Sequence, residues 1–179
     1  MLKMNRMEIP ARIRIYAYIS GEDDPRKCTA RKMIRLGFAR EIRDIRRIPR
    51  NAVLLDPTSK RAFSPEDRAQ VVEGGIAVLD FSWKRLDTMP HAVRSYARRA
   101  LPYLLASNPL RWGRPAELSS VEAVAAALFI IGEREMALNL LSKFSWGTSF
   151  LKLNMEPLLA YAEAANSTQV VEAQYQFLK

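Results

Sequence analysis

Two hydrophobic periods run along this chain, and one gives way to the other near residue 119. The segment Arg12–Ile19 (RIRIYAYI) alternates through Ile13, Ile15, Ala17 and Ile19, the period of a half-buried strand. The next stretch offers Asp24 as N-cap, Pro25 at the first helical position and Gly37 as terminator, which predicts a helix between them. Isoleucines at 42, 45 and 48 fit either a strand or a helix over 40–50. NAVLLDP (51–57) reads as a short buried strand ended by a turn. SPEDRAQVV opens a helix with Ser64 as N-cap, Pro65 behind it and Asp67 at the capping-box position. GGIAVLDFSW (74–83) is the strongest strand signal, and RALPYLLASNP (99–109) predicts another strand leaving into a loop. Beyond residue 119 only the helical period remains, over 119–131, 133–144, 149–164 and 168–178, with Gly132 and Gly147 as breaks.

Strands separated by helices imply a largely parallel sheet, so the pattern predicts an α/β fold followed by an all-helical C-terminal part. We place the division at residue 100, giving an N-terminal α/β part (1–100) and a mostly helical part (101–179). Ligands of such sheets lie beyond the carboxyl ends of the strands. That rule gathers Asp56, Asp80 and the loop after Ala106 into one neighbourhood.

Composition narrows the class. A content of 49% hydrophobic and 26% charged residues describes a folded globular chain. No apolar run reaches a membrane span and no signal-type h-region opens the sequence, so the expectation is a cytoplasmic protein. A single cysteine (Cys28) and a single histidine (His91) exclude an internal disulfide and an ordinary zinc site, and the plain reading is a buried thiol and a surface imidazole. No metal is expected. The net charge of +9 is uneven: residues 1–100 carry 22 basic and 12 acidic side chains, residues 101–179 carry 6 and 7. Such asymmetry suits a polyanion-facing N-terminal half, against the alternative of arginines serving surface ion-pair networks in a thermophile.

The chain has no GxGxxG, no P-loop and no G-x-S-x-G, which counts against dinucleotide binding, P-loop phosphoryl transfer and serine hydrolysis. Four stretches remain. Asp80 in VLDFSW should emerge at a strand tip as a partly desolvated carboxylate, with Trp83 as a flat wall for a purine or a sulfonium; an N-cap Asp beside a core Trp is the plainer account. The spacing Ser119-x-x-Glu122 is a capping box, and Ser120 leaves its amide at a helix N-terminus suited to an anion. KCTARK sets Thr29 among cations that can hold an anion, with a solvated basic helix face as the plainer account. VLLDP ends its strand at Asp56.

Taken in order, DPRKCTARKMIRLG (24–37), VLLDP (53–57), SPED (64–67), GGIAVLDFSW (74–83), LPYLLASNPLRWGRPAELSSVEAVAAALFIIG (101–132) and KFSWGTSFLKLN (143–154) resemble the aminocarboxypropyltransferases that modify small-subunit ribosomal RNA during ribosome biogenesis. Two places depart from that family. LRWGRP stands where a Val-Asn-Tyr-Gly run is common, and Phe81 where many members have a smaller residue. No long acidic tail of the eukaryotic kind follows, so the expectation is the archaeal type.

The resemblance implies a SPOUT-like α/β fold with a trefoil knot. It implies S-adenosylmethionine as donor, leaving as 5'-methylthioadenosine once its 3-amino-3-carboxypropyl group has moved to N3 of an N1-methylated or plain pseudouridine. It further implies that Thr29 and Ser120 hold the donor carboxylate and that Leu79 and Asp80 sit at the ribose and aminocarboxypropyl end. Trp83 would wall off the methyl group, and Leu55, Pro57, Leu101 or Leu105, and Leu118 would enclose the adenine. Asp80 and Trp83 are the expected catalytic residues, Asp80 as general base. RNA docking falls to Arg31, Lys32, Arg35, Arg43, Arg46, Arg47, Arg50, Lys60, Arg61, Lys84 and Arg85, on small-subunit rRNA or its precursor particle, with the protein a monomer. Two rivals remain at this stage: a SPOUT-type RNA methyltransferase, and a ribosome-assembly factor that binds RNA without catalysis.

Overall fold

The computed structural model describes residues 12–21, 24, 26–80 and 91–178. Its centre is a five-stranded sheet of β1 (Ile15–Ile19), β2 (Arg40–Ile42), β3 (Val53–Leu55), β4 (Ile76–Asp80) and β5 (Ala97–Arg99). The order is β2-β1-β4-β3-β5 and every pairing is parallel, with Ile15 and Val53 both opposite Ile76. Alternate residues go to opposite faces, as a pleated strand requires. Ile15, Ala17, Val53, Leu55, Ile76 and Val78 enter the larger core with the helices. Tyr16, Ile42, Leu54 and Ala77 face a smaller core capped by single 3-10 turns at Ile45–Arg47 and His91–Ser95. Both faces are therefore covered, which is why these strands read as near-continuous apolar runs.

The larger core is built around α3 (Ser120–Ile130), with α1 (Thr29–Arg35), α2 (Arg68–Gly74), α4 (Arg134–Leu141), α5 (Gly147–Glu163) and α6 (Ser167–Gln174) about it. Every residue of α3 from Val124 to Ile130 is buried, so it is apolar on all sides and lies inside rather than on the surface. It packs against α1, α4, α5 and β4, so one core joins the sheet to the helical block. Two glycines make close passages possible. Gly75 turns α2 into β4 at φ +88, where a Cβ would fall 2.6 Å from the Arg14 carbonyl oxygen. Gly147 opens α5 where a Cβ would lie 2.0 Å from the Leu141 carbonyl oxygen.

The expected α/β order holds, and four local readings change. The first helix starts at Thr29 with Cys28 as N-cap, its Sγ accepting from the Arg31 amide at 3.4 Å. Asp24 instead caps the preceding turn through the Arg26 amide at 3.0 Å. The ambiguous 40–50 segment divides into β2 and a 3-10 turn capped by Asp44. The strand expected over 99–109 is not formed: the edge strand β5 ends at Arg99, where that segment begins. Pro102 can donate no ladder bond, and the Leu105 amide and carbonyl turn away to Asn154 at 2.8 and 2.9 Å. Gly147 begins a helix rather than separating two.

Because Leu128 is fully buried in α3, Leu128→Ala should lower unfolding stability by about 2–5 kcal/mol. Chemical denaturation of both proteins checks this, and a loss under about 1 kcal/mol would contradict a tightly packed central helix.

Candidate functional site

The strand ends open into a cavity of about 750 Å³, a size ordinary for a small-molecule site. Its floor is the carboxyl tips of β3 and β4, with Leu55, Asp56, Leu79 and Asp80 among the lining residues. On the β3–β5 side the wall is apolar, from Leu55, Pro57, Leu101 and Leu118. On the β1 side it is polar, from Cys28 and Thr29 at the start of α1 and Ser119 and Ser120 at the start of α3. Asp80, half-buried, lies at the tip of the sheet's central strand.

The position of α3 is fixed by its third residue. Glu122 is fully buried, and its Oε2 accepts from the Ser119 amide and hydroxyl, each at 2.8 Å. Its Oε1 accepts from the amides of Ser107 and Asn108 at 2.7 and 3.1 Å, and the Asn108 Nδ2 reaches Oε2 at 2.8 Å. The capping box foreseen at Ser119 and Glu122 thus also holds the loop after Ala106. Across the cavity, Thr29 Oγ1 accepts from the Val121 amide at 3.3 Å, which docks α1 on the first turn of α3. A hydroxyl that accepts one bond still has its proton to give. The Ser120 amide, in the first turn, has no acceptor within its own helix. Thr29 and Ser120 therefore present donors side by side at the positive end of a helix of eleven residues, a natural seat for a carboxylate.

Asp80 is oriented by a partner no spacing rule would reveal. The Cys28 Sγ donates to its Oδ2 at 3.0 Å from 52 residues away. Burial, and then the hydrogen bond to the Asp80 carboxylate, push the Cys28 thiol up to about 11, so it stays neutral near pH 7. The Ser20 hydroxyl donates to the Asp80 carbonyl at 2.9 Å, fixing the backbone as well. Asp56, the other strand-tip acid, is engaged by its own turn and a neighbour: it accepts from the Thr58 amide and hydroxyl at 2.8 and 2.7 Å and from Arg98 at 3.1 Å. It braces the cavity floor.

Of the expected donor-binding residues, Thr29, Leu55, Pro57, Leu79, Asp80, Leu101, Leu118 and Ser120 come together in this one cavity. Leu105 does not line it, because its backbone is turned to Asn154. Trp83, Lys84 and Arg85 lie outside the described residues. The expected RNA contacts divide into separate places. Arg31, Lys32 and Arg35 line the cavity along α1, and Lys32 Nζ donates to the Lys143 carbonyl and lies 4.4 Å from the Phe144 ring centroid. Arg43 and Arg46 pair with Glu41 and Asp44 beside them, Arg47 is exposed, and Arg50 binds Ser95 before β3, at the opposite end of the sheet. Arg61 pairs with Glu66, and with Lys60 it borders a shallow recess beside α6. Phe144 and Trp146 add a tilted aromatic pair to the lining, with centroids 5.5 Å apart, which the sequence reading passed over. Among the described residues no cluster of three His, Cys, Asp or Glu could hold a metal, and no helix is long and apolar enough to cross a membrane.

Comparison with known proteins identifies the family. The family model "Ribosome biogenesis protein, C-terminal" matches residues 53–178. A second, "Possible Fer4-like domain in RNase L inhibitor, RLI", matches residues 13–44, a segment whose lone cysteine cannot supply the thiolates of an iron–sulfur cluster. The chain is 48% identical over 168 residues to the 16S rRNA aminocarboxypropyltransferase of Methanosarcina mazei, covering 93% of this chain and 95% of that one. It is 43% identical to the Methanothermobacter thermautotrophicus protein of the same name, covering 93% and 99%. The solved structure of the SAM-dependent rRNA:acp-transferase from Vulcanisaeta distributa superposes with a TM-score of 0.81 at 35% identity, covering 93% of this chain and 96% of that one. Matched in sequence over nearly the whole length of these relatives, and in fold to a solved one, the chain belongs to the 16S rRNA aminocarboxypropyltransferase family.

Proposed function

We propose that this protein transfers the 3-amino-3-carboxypropyl group of S-adenosylmethionine to N3 of a pseudouridine, N1-methylated or plain, in 16S rRNA. The observation that carries the reading is the cavity itself: an apolar wall, a carboxylate seat at a helix N-terminus and a strand-tip acid, in a chain of this family. The donor supplies a sulfonium whose carbons are all open to attack, and geometry must select one of them. Leu55, Pro57, Leu101 and Leu118 enclose the adenine. The Thr29 hydroxyl and Ser120 amide grip the carboxylate, which holds the reacting carbon still. Leu79 and Asp80 border the ribose and the transferred group, and Trp83 is the wall assigned to the methyl.

The target base must be unpaired or flipped to enter. As its N3 forms a bond to the aminocarboxypropyl carbon, the carbon–sulfur bond breaks, the electron pair neutralises the sulfonium, and the N3 proton passes to Asp80. The Cys28 thiol orients that carboxylate without adding a charge beside it. Arg31, Lys32 and Arg35 bring RNA phosphates to the mouth, with the remaining basic residues as outlying contacts. The same reading includes a cytoplasmic monomer and the trefoil knot that the family resemblance implies.

Incubated with S-adenosylmethionine, 16S rRNA from cells deleted for the gene should gain the aminocarboxypropyl mass on one nucleotide and release an equal amount of methylthioadenosine. A methyl gain with S-adenosylhomocysteine would make the protein a methyltransferase, and no product would leave an RNA-binding factor. Thr29→Val should weaken S-adenosylmethionine binding roughly 10-fold or more, the scale of a lost hydrogen bond to a charged group, by calorimetry. Asp80→Asn should instead lower turnover about 10²–10⁴-fold with donor affinity little changed; full turnover would remove Asp80 as base. At pH 8 the folded enzyme's Cys28 should react with iodoacetamide about 100-fold more slowly than after unfolding in urea, because its thiolate is that much scarcer. Equal rates would contradict the buried Cys28–Asp80 bond.

A further inference from the structure

One aromatic ring near this cavity is held out in water rather than packed. Trp112 is 61% exposed, as is Leu110, on the loop that leads into α3. The loop is braced rather than loose. The Gly113 amide donates to the Ala106 carbonyl at 2.7 Å, the Ala106 amide to the Arg114 carbonyl at 3.0 Å, and the Arg114 amide to the Arg111 carbonyl at 3.0 Å. Gly113 takes φ +72, a left-handed turn that a side chain would resist. The loop's base is bonded to the buried Glu122 through the Ser107 and Asn108 amides. A tether of this kind keeps Trp112 from folding back to bury itself, so its exposure is built into the loop.

Its neighbours indicate what the ring meets. Leu110 and Arg111 line the donor cavity, so the loop stands at the mouth. Arg111 and Arg114 share one carboxylate, Glu117, at 2.7 and 3.5 Å. Two guanidiniums against one acid leave a net positive charge and spare donors for a phosphate. A flat aromatic face flanked by arginines is the composition that stacks unpaired bases, whereas two exposed apolar side chains among Arg, Gly and Pro are far too small a patch for a stable protein interface.

We infer that Trp112 is a stacking platform for an unpaired base of the RNA substrate, with Arg111 and Arg114 on its backbone. The ring holds the strand at the cavity mouth while the target base enters. This rests on the rRNA-modifying reading above. Trp112 is a positioning residue and touches neither the donor nor the reacting atoms.

The test compares wild type, W112F and W112A in binding to 16S rRNA from the deletion strain, with intrinsic fluorescence and donor calorimetry alongside. In wild type, rRNA should quench a fluorescence component that W112F lacks, and heparin, a polyanion without bases, should not quench it. W112A should bind rRNA about 10-fold more weakly, W112F should retain most of the affinity, and S-adenosylmethionine binding should be unchanged in both. Equal rRNA affinity in W112A, or quenching undiminished in W112F, overturns the inference while leaving the transferase reading intact. A parallel loss of donor binding in W112A assigns the ring to the donor site and likewise overturns it. If wild type neither binds nor modifies rRNA, the functional reading and this inference fall together.

Discussion

A buried carboxylate that forms no ion pair among the described residues holds the cavity region together. Glu122 collects six donors, from Ser107, Asn108 and Ser119, two from each residue. Inside protein such a charge is tolerable only when its lone pairs are fully used, and a half-satisfied arrangement would be worse than an apolar one. The requirement ties three things into one unit: the start of α3, the loop that carries Trp112, and through α3 the Thr29 hydroxyl on the facing helix. The donor cavity is the space left between them and the strand tips. Its shape is thus set by hydrogen bonding around one acid more than by the size of its apolar walls.

Part of this was legible before any coordinates. Ser119-x-x-Glu122 announces a cap because both partners lie on one helical turn, and Ile13, Ile15, Ala17 and Ile19 announce a strand because alternate residues share one face of the pleat. What could not be read were bonds made by distant segments. Nothing near Cys28 indicates that its thiol will meet Asp80 across two strands, and nothing near Glu122 calls for Ser107 and Asn108. The strand expected over 99–109 failed for a related reason. Its leucines belong to an irregular segment whose backbone is completed by side chains of α5 and α6, notably Asn154 and Gln174. Apolar content alone does not distinguish that arrangement from a sheet. Leu101 and Leu105, equally good adenine contacts in sequence, were separated by the same feature.

The charge asymmetry was real, yet its distribution is more discriminating than its total. Arg43, Arg46 and Arg61 spend much of their charge on acids within five residues, at exposed positions where such pairs are worth little. Arg50 lies at the far end of the sheet. The α1 trio instead lines the cavity, three and four residues apart on one helical face, with Lys32 laid over Phe144. A count of basic residues marks one half of the chain as basic; only the fold separates the mouth from the outlying surface.

The sheet order carries a consequence for how the molecule comes into being. β4 lies between β1 and β3, although β3 precedes it in the chain, and α3 must then settle against the finished sheet. During synthesis the middle of the sheet is therefore the last of its first four strands to emerge, and the carboxylate seat on α3 comes later still. Contacts of such long sequence separation form slowly, since loop closure must precede them. The nascent chain therefore lacks the strand-tip cavity until α3, in its second half, has been made.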